Sequence, residues 1–248
     1  MAAVAEPRRI FVPSEAFIDG GVRLEGERLR HLRSVLRLGP GDEFSVTDGA
    51  GAEYRVRVEH LGRDRGRALV LARTEPPRES TLDLVLAQAL PKGDRFSFVL
   101  EKAAELGVSG IQPLISQHTV SGGGGAGAAA RWRRIVESAV AQSGRTRLPV
   151  LHPPCAFEEM IAGPNPPELR LLLWEDATDG LHEVIASRAA PRSVLVAIGP
   201  EGSWSQQEVQ RARQTGFAVA RFGPRILRTD TAGIAALAVL QNRWGDLG

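Results

Sequence analysis

Val194-Leu-Val-Ala-Ile-Gly-Pro-Glu-Gly-Ser-Trp204 is the stretch on which the fold turns. Val194–Ile198 reads as an apolar strand that runs into a Gly199-Pro200-Glu201-Gly202 turn. Ser205 with Glu208 then fits the capping box that opens a helix, each side chain satisfying the other's free backbone N–H. Open α/β sheets bind ligands in the loops at the carboxyl ends of parallel strands. Two glycines admit a ligand close to the backbone, and Pro200 fixes one torsion. An ordinary strand-to-helix turn reads the same way, since this is not Gly-x-Gly-x-x-Gly and no dinucleotide fingerprint follows.

Working outward, everything beyond Glu75-Pro76-Pro77 alternates strand and helix, which predicts an α/β domain at 78–248 with a mainly parallel sheet. Strands are expected at Leu82–Gln88, Val108–Ile115, Leu169–Trp174, Ser193–Gly199 and Ala218–Phe222. Helices are expected at Asp94–Leu106, with Phe96, Val99, Leu100 and Ala103 on one face, and at Arg131–Ser143, stopped by Gly144. Two more fall near 180–189 and 205–216, and the Gly/Ala tract Ser121–Ala130 reads as a loop. Thr231–Trp244 is an almost wholly apolar helix that needs burial inside the domain or against a second copy. Upstream, residues 1–73 read as a small β-rich domain with one helix, Glu27–Leu38. Its short strands at Phe44–Thr47, Glu53–Glu59 and Arg67–Ala72 suggest a small barrel.

Composition narrows the classes. The 248 residues suit two unequal domains, and 43% apolar with 24% charged residues is ordinary for a soluble globular chain. The longest apolar run, Ala232–Leu240, is far short of a bilayer span, and Met1–Phe11 lacks the pattern of a secretory signal. A single cysteine, Cys155, excludes an internal disulfide and a cysteine-based zinc site, and five scattered histidines show no metal-ligand spacing. These features favour a cytoplasmic protein without membrane or metal partners. A formal charge of +2 leaves the bulk near neutral, so any polyanion site must be a local patch.

Two such patches stand out. Arg131, Arg133, Arg134, Arg145 and Arg147 face only Glu137 in sequence, and Arg30, Arg33 and Arg37 share a helical stripe. Gln142-Ser143-Gly144-Arg145 places polar donors at a helix end. A constrained loop also follows the last strand, Phe222-Gly223-Pro224-Arg225-Ile226-Leu227-Arg228, after which Thr229, Asp230 or Thr231 caps the final helix. Capping accounts for the hydroxyls and the carboxylate but leaves Arg225 and Arg228 beside a helix amino terminus, an anion-favouring position.

Taken in order, His31-Leu32 with Val35-Leu36-Arg37-Leu38 and Gly41-Asp42, Gln88-Ala89-Leu90-Pro91-Lys92-Gly93-Asp94, Lys102-Ala103-Ala104-Glu105-Leu106-Gly107-Val108, Gln142–Arg145, Gly199–Gly202 and Ile226–Thr229 resemble the RsmE family. These are bacterial 16S rRNA uridine-N3 methyltransferases of the SPOUT superfamily. The resemblance implies a PUA-like RNA-binding β-barrel at 1–73 and a SPOUT α/β domain at 78–248 ending in a trefoil knot. It implies homodimers, S-adenosylmethionine as cofactor, and 16S rRNA in the small ribosomal subunit as partner. The cofactor residues would be Leu173, Trp174, Ile198, Gly199, Pro200, Glu201, Gly202, Phe222, Gly223, Ile226, Leu227, Arg228 and Thr229. Arg228 or Arg145 would stabilise a uracil anion, and Glu201 or Asp230 would orient the base or take its proton. RNA would lie against Arg9, Arg30, Arg33, Arg37, Lys92, Arg131, Arg134 and Arg145. Two departures stand out: Ser203-Trp204 replaces the family's usual Gly-Phe, and Asp230 replaces a usual Glu. Rival readings are a SPOUT enzyme acting on another RNA position, such as a ribose 2′-hydroxyl, and a non-catalytic RNA-binding or ribosome-assembly protein.

Overall fold

The computed structural model describes residues 8–120, 127–164 and 166–248. The chain divides into two units, one running to Glu79 and including Glu137–Leu148, the other comprising Ser80–Val136 and Pro149–Gly248.

In the first unit, strands β1 (Arg9–Phe11), β2 (Phe17–Ile18), β3 (Gly21–Glu25), β4 (Glu43–Thr47), β5 (Glu53–Leu61) and β6 (Arg65–Thr74) form a curled sheet in the order β1-β4-β5-β6-β3-β2. Only the β1–β4 pair is parallel. Register shifts at Arg55/Val56 and Val58/His60 bend the long β5–β6 ribbon. In β5, Val56 and Val58 point into the core while Arg55 and Arg57 face solvent, the period-2 alternation of a half-buried strand, which Glu53 at its start breaks by being buried. Leu29 and Leu32 of α1 (Gly26–Ser34) pack onto the same core. This helix stops four residues before the expected Leu38. The amides of Val35 and Leu36 both close on the His31 carbonyl, and Arg37 itself takes the left-handed conformation, φ 53°.

The second unit is a parallel sheet of β7 (Asp83–Ala89), β8 (Gly110–Ile115), β9 (Val150–Leu151), β10 (Cys155–Ala156), β11 (Leu169–Leu173), β12 (Ser193–Ile198) and β13 (Ala218–Ala220), ordered β10-β8-β7-β12-β11-β13 with β9 also on β8. Helices α2 (Arg95–Glu105) and α7 (Thr229–Trp244) contact each other, and α7 lies on β7 and β12. Gly233 permits that approach, since a Cβ there would come 2.7 Å from the Gln88 side chain. Core residues of α4 (Phe157–Ile161) and α6 (Gln206–Gln214) join Ala87, Leu172, Ala197 and Trp204, while α5 (Leu181–Ala186) lies against β13. Strands buried by helices read as apolar runs rather than as alternation, which is why β12 is legible as Val-Leu-Val-Ala-Ile.

Helix α3 (Ala128–Ser143) starts three residues before the expected Arg131, because alanines favour a helix. Residues 121–126 of the expected Gly/Ala loop lie outside the described residues. Trp132 packs edge-on to Phe96 in the second unit, and the helix beyond Val136 belongs to the first. Among the described residues no helix is long and apolar enough to cross a membrane.

Candidate active site

Three neighbouring strands, β12, β11 and β13, end in loops that wall one hollow. Leu173 ends β11 and Trp174 and Glu175 follow it, Ile198 ends β12 and Gly199–Glu201 follow it, and Phe222–Thr229 follow β13; with Ser203, Trp204 and Ala232 they enclose about 310 Å³. The connection from β7 leads to β8 on one side and that from β12 leads to β13 on the other, so the order reverses between β7 and β12; the hollow lies on the β12 side of that point, at the strands' carboxyl ends.

Polar contacts hold the walls. The Thr229 hydroxyl donates to the Gly199 carbonyl. The Lys92 amide donates to Glu201 Oε1 at 3.0 Å, and His118 Nδ1 lies 3.0 Å from the Ser203 carbonyl. Trp204 is 4% exposed, donates Nε1–H to the Leu173 carbonyl at 3.0 Å, and packs on Phe157. A Cβ on Gly199 would lie 3.0 Å from that Nε1, so glycine lets the loop pass over the indole. The capping box forms as read: Glu208 Oε2 accepts the Ser205 N–H at 2.9 Å and Ser205 Oγ accepts the Glu208 N–H at 3.3 Å.

The Ser203 departure is accommodated in the backbone. Ser203 keeps a left-handed φ of 62°, its N–H closes a turn on the Pro200 carbonyl at 3.0 Å, and its Oγ is buried without a hydrogen-bond partner. A serine sits where glycine is less strained.

Of the residues the sequence assigns to the cofactor, all but Gly202 line the pocket; Gly202 packs on His118 instead. Glu175, Ser203, Trp204, Pro224, Arg225 and Ala232 line it without having been assigned there. The signal for Glu175 was available, a carboxylate directly past an apolar strand. The four catalytic candidates separate. Arg228 and Glu201 line the pocket, and the exposed Arg228 guanidinium makes no hydrogen bond or ion pair among the described residues. Asp230 is off the lining, with Oδ1 turned back to accept the Thr231 amide at 2.9 Å. Arg145 belongs to the first unit, 6% exposed, and donates through Nε and Nη2 to Glu79 Oε2 at 3.0 and 2.8 Å.

The RNA-facing candidates divide likewise. Arg30, Arg33, Lys92, Arg131 and Arg134 are exposed, with Arg33 donating to the Gly62 carbonyl at 3.0 Å and Arg131 paired to Asp94. Arg37 is exposed but lies past the end of α1, off the helical stripe. Arg9 corrects the expectation, as does Arg145: its side chain is 9% exposed and donates to Glu53 Oε1 at 3.0 Å. Glu53 Oε2 also accepts from Arg78, which in turn holds the Gly144 carbonyl at 3.1 Å. A buried charge requires a partner, so Arg9 serves the buried Glu53 carboxylate and Glu79 serves the buried Arg145 guanidinium inside the first unit.

A parallel sheet with a ligand-sized hollow at its carboxyl edge, in a chain that also holds a curled β unit, defines the class as a two-unit α/β protein with a ligand-binding crevice. Residues 78–241 match the RNA methyltransferase domain family and residues 24–71 the RNA methyltransferase PUA domain family. The chain belongs to the ribosomal RNA small subunit methyltransferase E family. It is 34% identical to the Synechocystis protein of that name over 93% of this chain and 76% of the relative. It is also 34% identical to the Mycobacterium tuberculosis one, over 89% and 87%. The Neisseria gonorrhoeae ribosomal RNA small subunit methyltransferase E, solved bound to S-adenosylmethionine, superposes with a TM-score of 0.87 at 34% identity, covering 98% of this chain and 100% of that one. A Legionella pneumophila methyltransferase solved with its bound cofactor gives 0.90 at 32% identity, covering 97% and 99%.

Proposed function

We propose that this protein transfers a methyl group from S-adenosylmethionine to N3 of a uridine in 16S ribosomal RNA. The pocket carries the reading. Its residues suit a zwitterionic sulfonium: apolar Leu173, Ile198 and Leu227 for the flat and aliphatic parts, Glu175 for cationic groups, Arg225 for a carboxylate, and loop backbone for the adenine edge. When bound, the cofactor supplies a methyl carbon that its sulfonium makes electrophilic. Low polarity in the walls favours loss of charge separation between donor and acceptor, and the fixed loops hold the two in line.

Uracil N3 carries a proton and is a poor nucleophile until it leaves. The Glu201 carboxylate, whose Oε1 the Lys92 amide already orients, would take that proton and so free N3 to accept the methyl group that the cofactor supplies. A carboxylate is a weak base toward an imide, so Arg228 carries the larger share by stabilising negative charge on the uracil oxygens. Arg228→Ala should lower kcat by roughly 10²-fold, the typical loss for one such donor, with little change in cofactor affinity. Loss of cofactor binding instead would reassign Arg228 to the pocket. Mass spectrometry of 16S rRNA nucleosides from a deletion strain tests the whole reading: 3-methyluridine should disappear. Loss of a ribose methyl, or of none, would refute it.

The reading extends to a homodimer acting on the assembled small subunit in the cytoplasm. α7 keeps a second, half-exposed apolar face at Ala235, Ala238 and Val239, which suits a second copy. The two basic patches, around Arg30 and Arg33 and around Arg131 and Arg134, are modest for tight binding to free RNA, which suits a structured particle; equal activity on naked transcript would overturn that part. It also includes the trefoil knot, supported by the Phe222–Thr229 loop lying against Gly199; a crystallographic trace that threads no ring of chain would remove it.

A further inference from the structure

Gln88 is wholly buried at the carboxyl end of β7, a strand whose following loop does not line the pocket. Its Nε2 donates to Thr229 Oγ1 at 2.8 Å and to the Ala89 carbonyl at 3.2 Å. With its lone pair so engaged, the Thr229 hydroxyl has its proton directed at the Gly199 carbonyl. Thr229 and Gly199 are both pocket walls, the first opening α7 and the second following β12. The other end of the amide is unsatisfied: Gln88 Oε1 has no hydrogen-bond partner and faces Gly233. Folding alone gives little reason for such a group, since an apolar side chain of the same length would fill the site with no orphaned oxygen.

We propose that Gln88 is a positioning residue for the cofactor pocket, acting through Thr229 to hold the Gly199 loop at a set distance from the start of α7. The inference rests on the cofactor reading above. A hydroxyl rotates to suit its surroundings, and Thr229 alone would be free to accept a proton from elsewhere and release Gly199. An amide donor behind it removes that freedom, and the orphaned oxygen is tolerated in return.

The test is S-adenosylmethionine binding by calorimetry on the full chain, with steady-state kinetics beside it. Gln88→Met preserves length and removes the donor. It should weaken binding about tenfold and raise KM for the cofactor, while kcat at saturation stays near wild type. Thr229→Val should lose a similar factor, Thr229→Ser should restore binding, and Gln88→Met should add nothing in the Thr229→Val background, because Gln88 acts only through that hydroxyl. Additive losses, or Gln88→Met binding as tightly as wild type, would overturn the proposal. Should Gln88→Met fail to fold, the Thr229 pair decides: Thr229→Val binding like wild type is then the overturning result. Failure of the wild-type protein itself to bind the cofactor would instead strike the functional reading.

Discussion

Replacing Ser203 with glycine should stabilise the protein. Ser203 sits at φ 62°, a left-handed conformation that costs an L-residue about 1–2 kcal/mol. Its buried, unpartnered Oγ adds about 1–3 kcal/mol, taken at the low end because the residue as a whole is half-buried. Against both stands the greater backbone entropy of glycine in the unfolded chain, about 0.5–1 kcal/mol. The balance is a gain of at least about 1 kcal/mol, which in a chain of this size raises the melting temperature by about 2–4 °C. Differential scanning calorimetry reads it directly, and Ser203→Ala separates the contributions, since alanine removes the hydroxyl but keeps the strained backbone. The expected order of melting temperature is glycine, then alanine, then serine. An unchanged or lower value for Ser203→Gly would refute the reasoning. Alanine matching or exceeding glycine would show that the torsion carries no strain.

Three further outcomes follow from named contacts. Glu79→Ala leaves the Arg145 guanidinium buried and takes acceptors from the Thr146 and Arg147 amides, so stability should fall by about 3 kcal/mol, with a melting temperature roughly 6–12 °C lower. Gly199→Ala forces its new methyl against Trp204 Nε1 and loosens the indole's bond to the Leu173 carbonyl; S-adenosylmethionine affinity should drop about tenfold by calorimetry, and unchanged affinity would mean the loop yields freely. Burial, with a smaller contribution from the nearby Glu159 carboxylate, pushes the Cys155 thiol up. Less thiolate is then present at any given pH, so iodoacetamide should alkylate Cys155 more slowly at pH 8 than it does an unhindered peptide thiol, and Glu159→Gln should speed the reaction.

What local pattern could carry was carried by the chain itself. The apolar run Val194–Ile198, the glycine turn after it, and the Ser205–Glu208 cap are decided by residues within a few positions of one another, and each forms as spelled. The same holds for the alternation of Val56 and Val58 with Arg55 and Arg57 in β5, because strand period is a short-range property. The cap expected at Thr229, Asp230 or Thr231 does not form: α7 already begins at Thr229, whose hydroxyl is taken by the distant Gly199 carbonyl, and Arg228 stands at the N-cap without a side-chain bond. β9 and β10, at two residues each, carry too few positions for any period to show, and α4, at five, is little more than one helical turn. Charge roles were beyond reach for a different reason. Nothing near Arg145 in sequence announces Glu79, 66 positions away, and nothing near Gln88 announces Thr229, 141 away. An arginine's neighbours along the chain do not say whether it meets solvent or a buried carboxylate. That depends on which distant segments the hydrophobic cores bring together, so the folded molecule alone separated the arginines left at the surface from those spent on holding it together.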